Sequence, residues 1–266
     1  MENYIINLIL KQKIISEKKL DVIKRQASCK YKSPIPTNIK LLTSYHKLIS
    51  SNKLKPSIVL ENILKTRKIR TLSGIAAITV ITKPYPCPGE CLYCPQEKDM
   101  PKSYLANEPA CMRAVLTKFD PYKQTKARLD SLTMTGHKTD KIELIVLGGT
   151  WSYYDKKYQE WFIKRCFQAC NTKSKIQGSK SKQTLKQAQK INEKAKHRII
   201  GLTLETRPDY INEKEIKRMR WLGATRVELG VQSIYDNILK YNNRGHNVQK
   251  IINATKLLKN AGIKMT

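Results

Sequence analysis

From about Arg70 onward the chain alternates short apolar, β-rich runs with longer amphipathic stretches, and this rhythm constrains the fold more than any other feature of the sequence. Five runs have the character of strands: Ile75 to Ile81, Ile142 to Leu147, Ile199 to Leu204, Val227 to Val231, and a start at Ile263. Between them, Pro109 to Thr135, Lys157 to Ala169 and Asn212 to Leu222 carry helical spacing. The last of these is punctuated at both ends, with Asn212 as cap, Glu215 three residues on and Gly223 as stop. Strands alternating with helices imply βα units and a parallel sheet, either a barrel or a doubly wound sheet. In both architectures ligands bind at the C-terminal ends of the strands.

The first seventy residues are of a different kind. Tyr4 to Arg25 places Ile5, Ile9, Leu20 and Ile23 among lysines, Ile39 to Ser50 repeats the pattern, and Pro56 stands where a third helix would begin. We therefore expect residues 1–69 to form a small basic helical module, and residues 70–266 to form the α/β domain. With 266 residues and 40% apolar side chains, the chain has ample material for a core.

Charge distribution adds a functional hint. The net charge is +30; residues 1–70 hold 16 basic and 4 acidic side chains, and residues 172–198 hold 9 basic and 1 acidic. Lysine, isoleucine and asparagine are all abundant, as AT-rich coding would produce, but drift alone does not require such concentration. Two basic regions point to a polyanionic partner, with nucleic acid foremost. Within 172–198 a solvated, mobile insertion is the leading expectation and a nucleic-acid-contacting loop the alternative. The longest apolar runs fall well short of the roughly 18 residues that span a bilayer. The N-terminus does not have the form of a secretory signal. A cytoplasmic protein with no membrane partner is expected.

Seven cysteines in such a chain argue for metal or reactive chemistry over a disulfide framework. Cys87, Cys91 and Cys94 stand in a C-x-x-x-C-x-x-C run directly after the first strand. Three thiolates on an iron–sulfur cluster leave one iron open to a small chelating molecule, where four would close it. A zinc site completed by Cys111 is the competing reading. Against it, zinc knuckles pair two C-x-x-C units, and Cys111 falls in a helical stretch. Cys166 and Cys170, four apart on one helix face, read as packed thiols.

The cysteine run, with an aromatic residue before the third cysteine, resembles the radical S-adenosylmethionine superfamily. Further strings narrow the resemblance: Arg70-Thr-Leu-Ser-Gly-Ile-Ala, Glu108-Pro-Ala-Cys-Met-Arg-Ala114, Phe119-Asp-Pro-Tyr122, Leu147-Gly-Gly-Thr150, Glu205-Thr-Arg-Pro-Asp-Tyr210, Glu228-Leu-Gly-Val-Gln-Ser233 and Asn243-Arg-Gly-His246. In this order, from about residue 55 to the end, they are similar to the Elp3 family, the catalytic subunit of Elongator. The resemblance implies a partial radical S-adenosylmethionine (β/α) barrel behind the helical module. It also implies a tRNA-modifying enzyme that places a carboxymethyl group on C5 of wobble uridine 34, using a 4Fe–4S cluster, S-adenosylmethionine and acetyl-CoA. The 5′-deoxyadenosyl radical would take hydrogen from the acetyl methyl group.

Carried over residue by residue, the resemblance makes Cys87, Cys91 and Cys94 cluster ligands. It assigns Tyr93, Gly148, Gly149, Thr150, Glu205, Gln232 and Arg244 to S-adenosylmethionine, and Lys141 to acetyl-CoA. For Lys141, a charged residue merely opening a strand is a close alternative. This chain departs from the family in a compact cluster loop and in lacking the acetyltransferase-like C-terminal half. The sequence reading is therefore of a truncated or split chain, completed by a separate chain carrying that half or else left as a catalytically inactive tRNA-binding fragment.

Overall fold

A computed structural model describes residues 1–11, 16–171 and 183–266 of the chain. They form two compact units: Met1–Ala76 with Leu129–Thr139, and Ala77–Arg128 with Asp140–Thr266.

In the first unit the chain forms α1 (Glu2–Lys11), α2 (Glu17–Tyr31), α3 (Asn38–Ser50) and α4 (Ile58–Leu64). The stretch expected as one helix from Tyr4 to Arg25 is two, because Ser16 caps a new start by accepting from the Lys19 N–H at 3.4 Å. Thr37 and Ser57 start α3 and α4 in the same way. Each helix turns its apolar stripe inward, and Ile5, Ile6, Ile9, Leu20, Ile23, Leu41, Leu42, Leu60 and Leu64 make one buried cluster. Each such side chain contributes about 1.5–3 kcal/mol by leaving water. Tyr45 is fully buried among them and satisfies its hydroxyl by accepting from the Ser57 N–H at 2.6 Å.

After α4 the chain forms β1 (Ala76–Ile81), α5 (Pro109–Leu116), α6 (Pro121–Met134), whose residues from Leu129 on belong to the first unit, and then, in the second unit, β2 (Lys141–Leu147), α7 (Lys156–Cys170) and α8 (Leu185–Asn192). The chain continues through β3 (Arg198–Thr206), α9 (Glu213–Leu222), β4 (Arg226–Leu229), α10 (Asp236–Tyr241), α11 (Val248–Asn260) and β5 (Lys264–Met265). The strands form one sheet in the order β1-β2-β3-β4-β5, with β2–β3, β3–β4 and β4–β5 parallel. Consecutive parallel neighbours joined through helices bury both faces, which is why the strands read as apolar runs. Ile142, Leu144 and Val146 of β2 are buried, as are Phe162, Ile163 and Cys166 of α7. Asn212 caps α9 through the Glu215 N–H at 3.0 Å, and Gly223 ends it at φ +100°.

Two further expectations change. The helical stretch Pro109–Thr135 is broken into α5 and α6, because Lys118 and Phe119 take left-handed backbone (φ 53° and 55°) and Asp120 precedes a proline, which disfavours helix. Of the basic tract 172–198, residues 172–182 lie outside the described residues. Its second half is not a solvated insertion: Thr184 and Gln187 form a reciprocal capping box for α8. Asn192 is buried, donating to Asn171 Oδ1 (2.8 Å) and the His197 carbonyl (2.9 Å) and accepting from the Ile199 N–H at 2.7 Å. No described helix is long and apolar enough to cross a membrane.

Candidate active site

The loop after β1 brings Cys87, Cys91 and Cys94 to one small cavity of about 60 Å³. The same cavity is lined by Gly149 and Thr150 after β2, Glu205, Thr206 and Arg207 at the end of β3, Gly230 and Gln232 after β4, and Arg244. Tyr93 joins them from the cysteine loop. All lie at the C-terminal ends of the strands, where a βα fold gathers its loops.

Each thiol has its own neighbour. Cys87 Sγ accepts from the Gly89 N–H at 3.4 Å and lies 3.9 Å from Thr150 Oγ1; Cys94 Sγ lies 2.7 Å from Ser103 Oγ. Cys91 is buried, and Arg244 Nη1 donates to its sulfur at 3.4 Å. Burial works against the Cys91 thiolate, but the hydrogen bond and charge of Arg244, helped by Tyr93 and Arg207, outweigh it and lower the pKa. All seven cysteines are free. Among the described residues no group of three His, Cys, Asp or Glu side chains is arranged around a single metal ion. Ligands of a cluster are spread over several irons and need no such convergence.

Cys111, the alternative fourth ligand, is not part of this cavity. It is fully buried on α5 in an apolar cluster with Ile81, Met100 and Ala114, and burial together with Glu108 pushes its thiol up to about 11. Cys166 is likewise buried and pushed up to about 12 by desolvation. In both, burial disfavours the thiolate that a metal ligand has to be. The three cavity cysteines, supplied with N–H, hydroxyl and guanidinium donors, fit a thiolate-bound cluster.

Glu205 organises the opposite wall. Its Oε2 accepts from the Tyr104 hydroxyl at 2.6 Å and from the Gly148 and Gly149 N–H groups at 3.4 Å each. Burial raises its pKa, opposed by these same hydrogen bonds. The two glycines take positive φ of 134° and 95°. At Gly148 a Cβ would stand 1.8 Å from Thr82 Oγ1, so the neighbouring strand end already forbids a side chain there.

Lys141 is placed elsewhere. It is an exposed residue opening β2, at the opposite end of the strand from Gly148, roughly 20 Å away at the usual rise per residue.

Sequence reasoning missed a buried polar group beside Cys91. Arg207 Nε and Nη2 donate to the two carboxylate oxygens of Asp209 at 3.0 and 2.9 Å, and His246 Nδ1 lies 3.5 Å from Asp209. Although burial opposes it, the hydrogen bonds from His246 and Arg207 and the charge of Arg207 hold the Asp209 carboxyl well below the usual carboxylate range. Arg207, Asp209 and His246 stand within two of the strings that carried the family resemblance. Their mutual contact is tertiary and has no periodic trace in the sequence.

A family model described as the radical SAM superfamily matches residues 81–266, which covers the whole cavity. A tRNA uridine(34) acetyltransferase of Methanocaldococcus infernus is 47% identical over 274 residues, covering 98% of this chain and 49% of that protein. Elongator complex protein 3 of Homo sapiens is 37% identical over 213 residues, covering 76% of this chain and 38% of that protein. Among solved structures, an archaeal Methanocaldococcus infernus Elp3 with an N-terminal deletion (1–46) superposes with a TM-score of 0.57 at 46% identity, over 72% of this chain and 37% of that one. The chain belongs to the radical SAM superfamily, and within it to the Elp3 family. It spans about half the length of the first of these relatives. Membership of the superfamily implies an iron–sulfur cluster and S-adenosylmethionine.

Proposed function

We propose that this chain is the radical S-adenosylmethionine part of a cytoplasmic enzyme that modifies wobble uridine 34 of tRNA, by acetyl-CoA-dependent 5-carboxymethylation. One observation carries the reading: Cys87, Cys91 and Cys94 share a cavity with Gly149, Thr150, Glu205, Gln232 and Arg244 at the ends of consecutive parallel strands. The bound cofactors supply one-electron chemistry able to break an unactivated C–H bond.

In this reading the protein's part is to hold and shield. The three thiolates would hold the cluster, each sulfur supported by the donors already described. Glu205 fixes the β2 loop by gripping the Gly148 and Gly149 N–H groups, and its other carboxylate oxygen is the partner for a ribose hydroxyl. Gln232 and Tyr93 close the cavity toward the β4 side. The exposed basic side chains of α2, among them Lys18, Lys19, Arg25 and Lys30, provide the electrostatic footprint for tRNA. Lys141 lies away from the cavity, which favours acetyl-CoA being delivered chiefly by an acetyltransferase-like half.

The test is 5′-deoxyadenosine formation from S-adenosylmethionine and dithionite by anaerobically reconstituted protein. We expect turnover by the wild type and none by Cys91→Ser. Wild-type protein that binds tRNA and takes up iron yet makes no 5′-deoxyadenosine would leave only the second reading, a tRNA-binding fragment without chemistry.

A further inference from the structure

Two buried guanidiniums meet at one sulfur. Arg244 Nη1 lies 3.4 Å from Cys91 Sγ and Arg207 Nη1 lies 4.0 Å from it. All three side chains are buried. Among the described residues the hydrogen-bond partners of the other two cysteine sulfurs are neutral, the hydroxyls of Thr150 and Ser103 and the Gly89 N–H. Among the described residues the guanidinium contacts thus fall on Cys91, although the charge of Arg207 also reaches Cys87.

The fold makes room for this arrangement and fixes it. A Cβ at Gly89 would stand 2.0 Å from Arg207 Nη1, and one at Gly230 would stand 2.8 Å from Arg244 Nη2, so both glycines clear space for a guanidinium. Arg207 is held by the two-point pair with Asp209 and by donation to the Arg244 carbonyl at 2.7 Å. Arg244 is held by donation to the Gly230 carbonyl at 2.6 Å. Among the described residues Arg207 has a carboxylate partner but Arg244 has none, and the Arg244 Nε is buried without a hydrogen bond. The Arg244 charge therefore faces the Cys91 sulfur with no carboxylate among the described residues to share it. A buried cation in that condition is costly unless an anionic group is meant to sit against it.

We propose that Arg207 and Arg244 raise the reduction potential of the cluster held at Cys91, acting through its sulfur. The inference rests on the reading of the three cysteines as cluster ligands. Reduction takes one electron from a low-potential donor, breaks no bond, and makes the cluster one unit more negative. Fixed cations and hydrogen bonds at a ligand sulfur stabilise that added charge. Arg207 is the positioning residue to test, because Asp209 clamps it and its guanidinium makes no other contact to the cysteine loop at hydrogen-bonding distance.

The experiment reconstitutes the full chain anaerobically as wild type, Arg207→Met, Arg207→Lys and Cys91→Ser. It measures iron content and then the midpoint potential by mediated dithionite titration. We expect Arg207→Met to load as much iron as the wild type and to titrate at a more negative potential, with Arg207→Lys shifted less because it keeps the charge. Equal midpoints for the wild type and Arg207→Met at equal iron content would overturn the proposal while leaving the cluster assignment standing. Should Arg207→Met take up no iron, Arg207→Gln is read in the same way. Failure of both neutral variants to load would also overturn the proposal, since the arginine would then be building the loop. Full iron content in Cys91→Ser would remove the cluster from this sulfur and overturn both readings.

Discussion

The two units treat charge in opposite ways. The first buries an almost wholly apolar cluster; among its described residues Lys24 and His137 are the buried basic side chains, and the other lysines are exposed apart from the half-buried Lys65. The second buries Arg207, Arg244, His246, Glu215 and His197 and gathers the two arginines around three cysteines. Surface charge costs little and binds at long range, whereas buried charge is expensive and has to be fixed by partners. The contrast teaches that the +30 of this chain is one number with two meanings: an outward field in one unit and an internal electrostatic device in the other.

Four substitutions test that division, beginning with the largest effect. Cys91→Ser is expected to abolish iron uptake and the accompanying visible absorbance, because the buried middle ligand has no substitute within the cavity. Leu42→Ala, in the apolar cluster of the first unit, should lower stability by about 2–5 kcal/mol in urea unfolding, with no dependence on pH. Asp209→Asn should destabilise the metal-free protein by roughly 2–4 kcal/mol at pH 7, since it strands a buried guanidinium. That difference should depend on pH. Asp209 is depressed in the fold, so its contribution is complete above the unfolded value of about 3.9 and fades as pH falls below it. A pH-independent loss would mean that the pair acts by packing and not by charge.

The smallest effect on stability should come from replacing Lys18, Lys19, Arg25 and Lys30 together by Gln, at most about 0.5 kcal/mol each. Its effect should appear instead in tRNA binding, with the slope of log affinity against log salt falling by up to about 0.9 for each phosphate contact removed. An unchanged slope would move the nucleic-acid footprint away from α2. Deleting the first 54 residues is a poorer test, because Ile5, Leu20, Leu41, Leu42 and Tyr45 would leave Leu60 and Leu64 without a core.

Much of this architecture is legible in the sequence for reasons that can be named. Buried parallel strands are short continuous apolar runs, and the five expected strands lie within two residues of the observed ones. The Asn212 cap and Gly223 stop are local chemistry and were readable as such. The cysteine spacing and the glycines after β2 mark the cavity because they are sequence-local. What escaped reading is tertiary: the Arg207–Asp209–His246 contact joins residues nearly forty positions apart, and Tyr104 reaches Glu205 across 101 positions. The left-handed pair Lys118–Phe119 escaped for the opposite reason, since a two-residue reversal is too short to disturb a helical pattern that resumes at Pro121.

The close approach of Thr82 to Gly148 ties two strand ends into a single unit of variation. With the Thr82 hydroxyl 1.8 Å from where a Cβ at position 148 would stand, position 148 cannot accept a side chain while Thr82 is kept. Giving up the hydroxyl at 82 would lose the 2.7 Å contact to Tyr154, which ties the end of β1 to the chain just before α7, and would still leave a Cβ at 148 within 3.0–3.1 Å of Thr82 at a φ of +134° that strains any side chain. The glycine that turns the chain after β2 is therefore held by its own backbone as well as by its neighbour, whatever chemistry is asked of the cavity beside it.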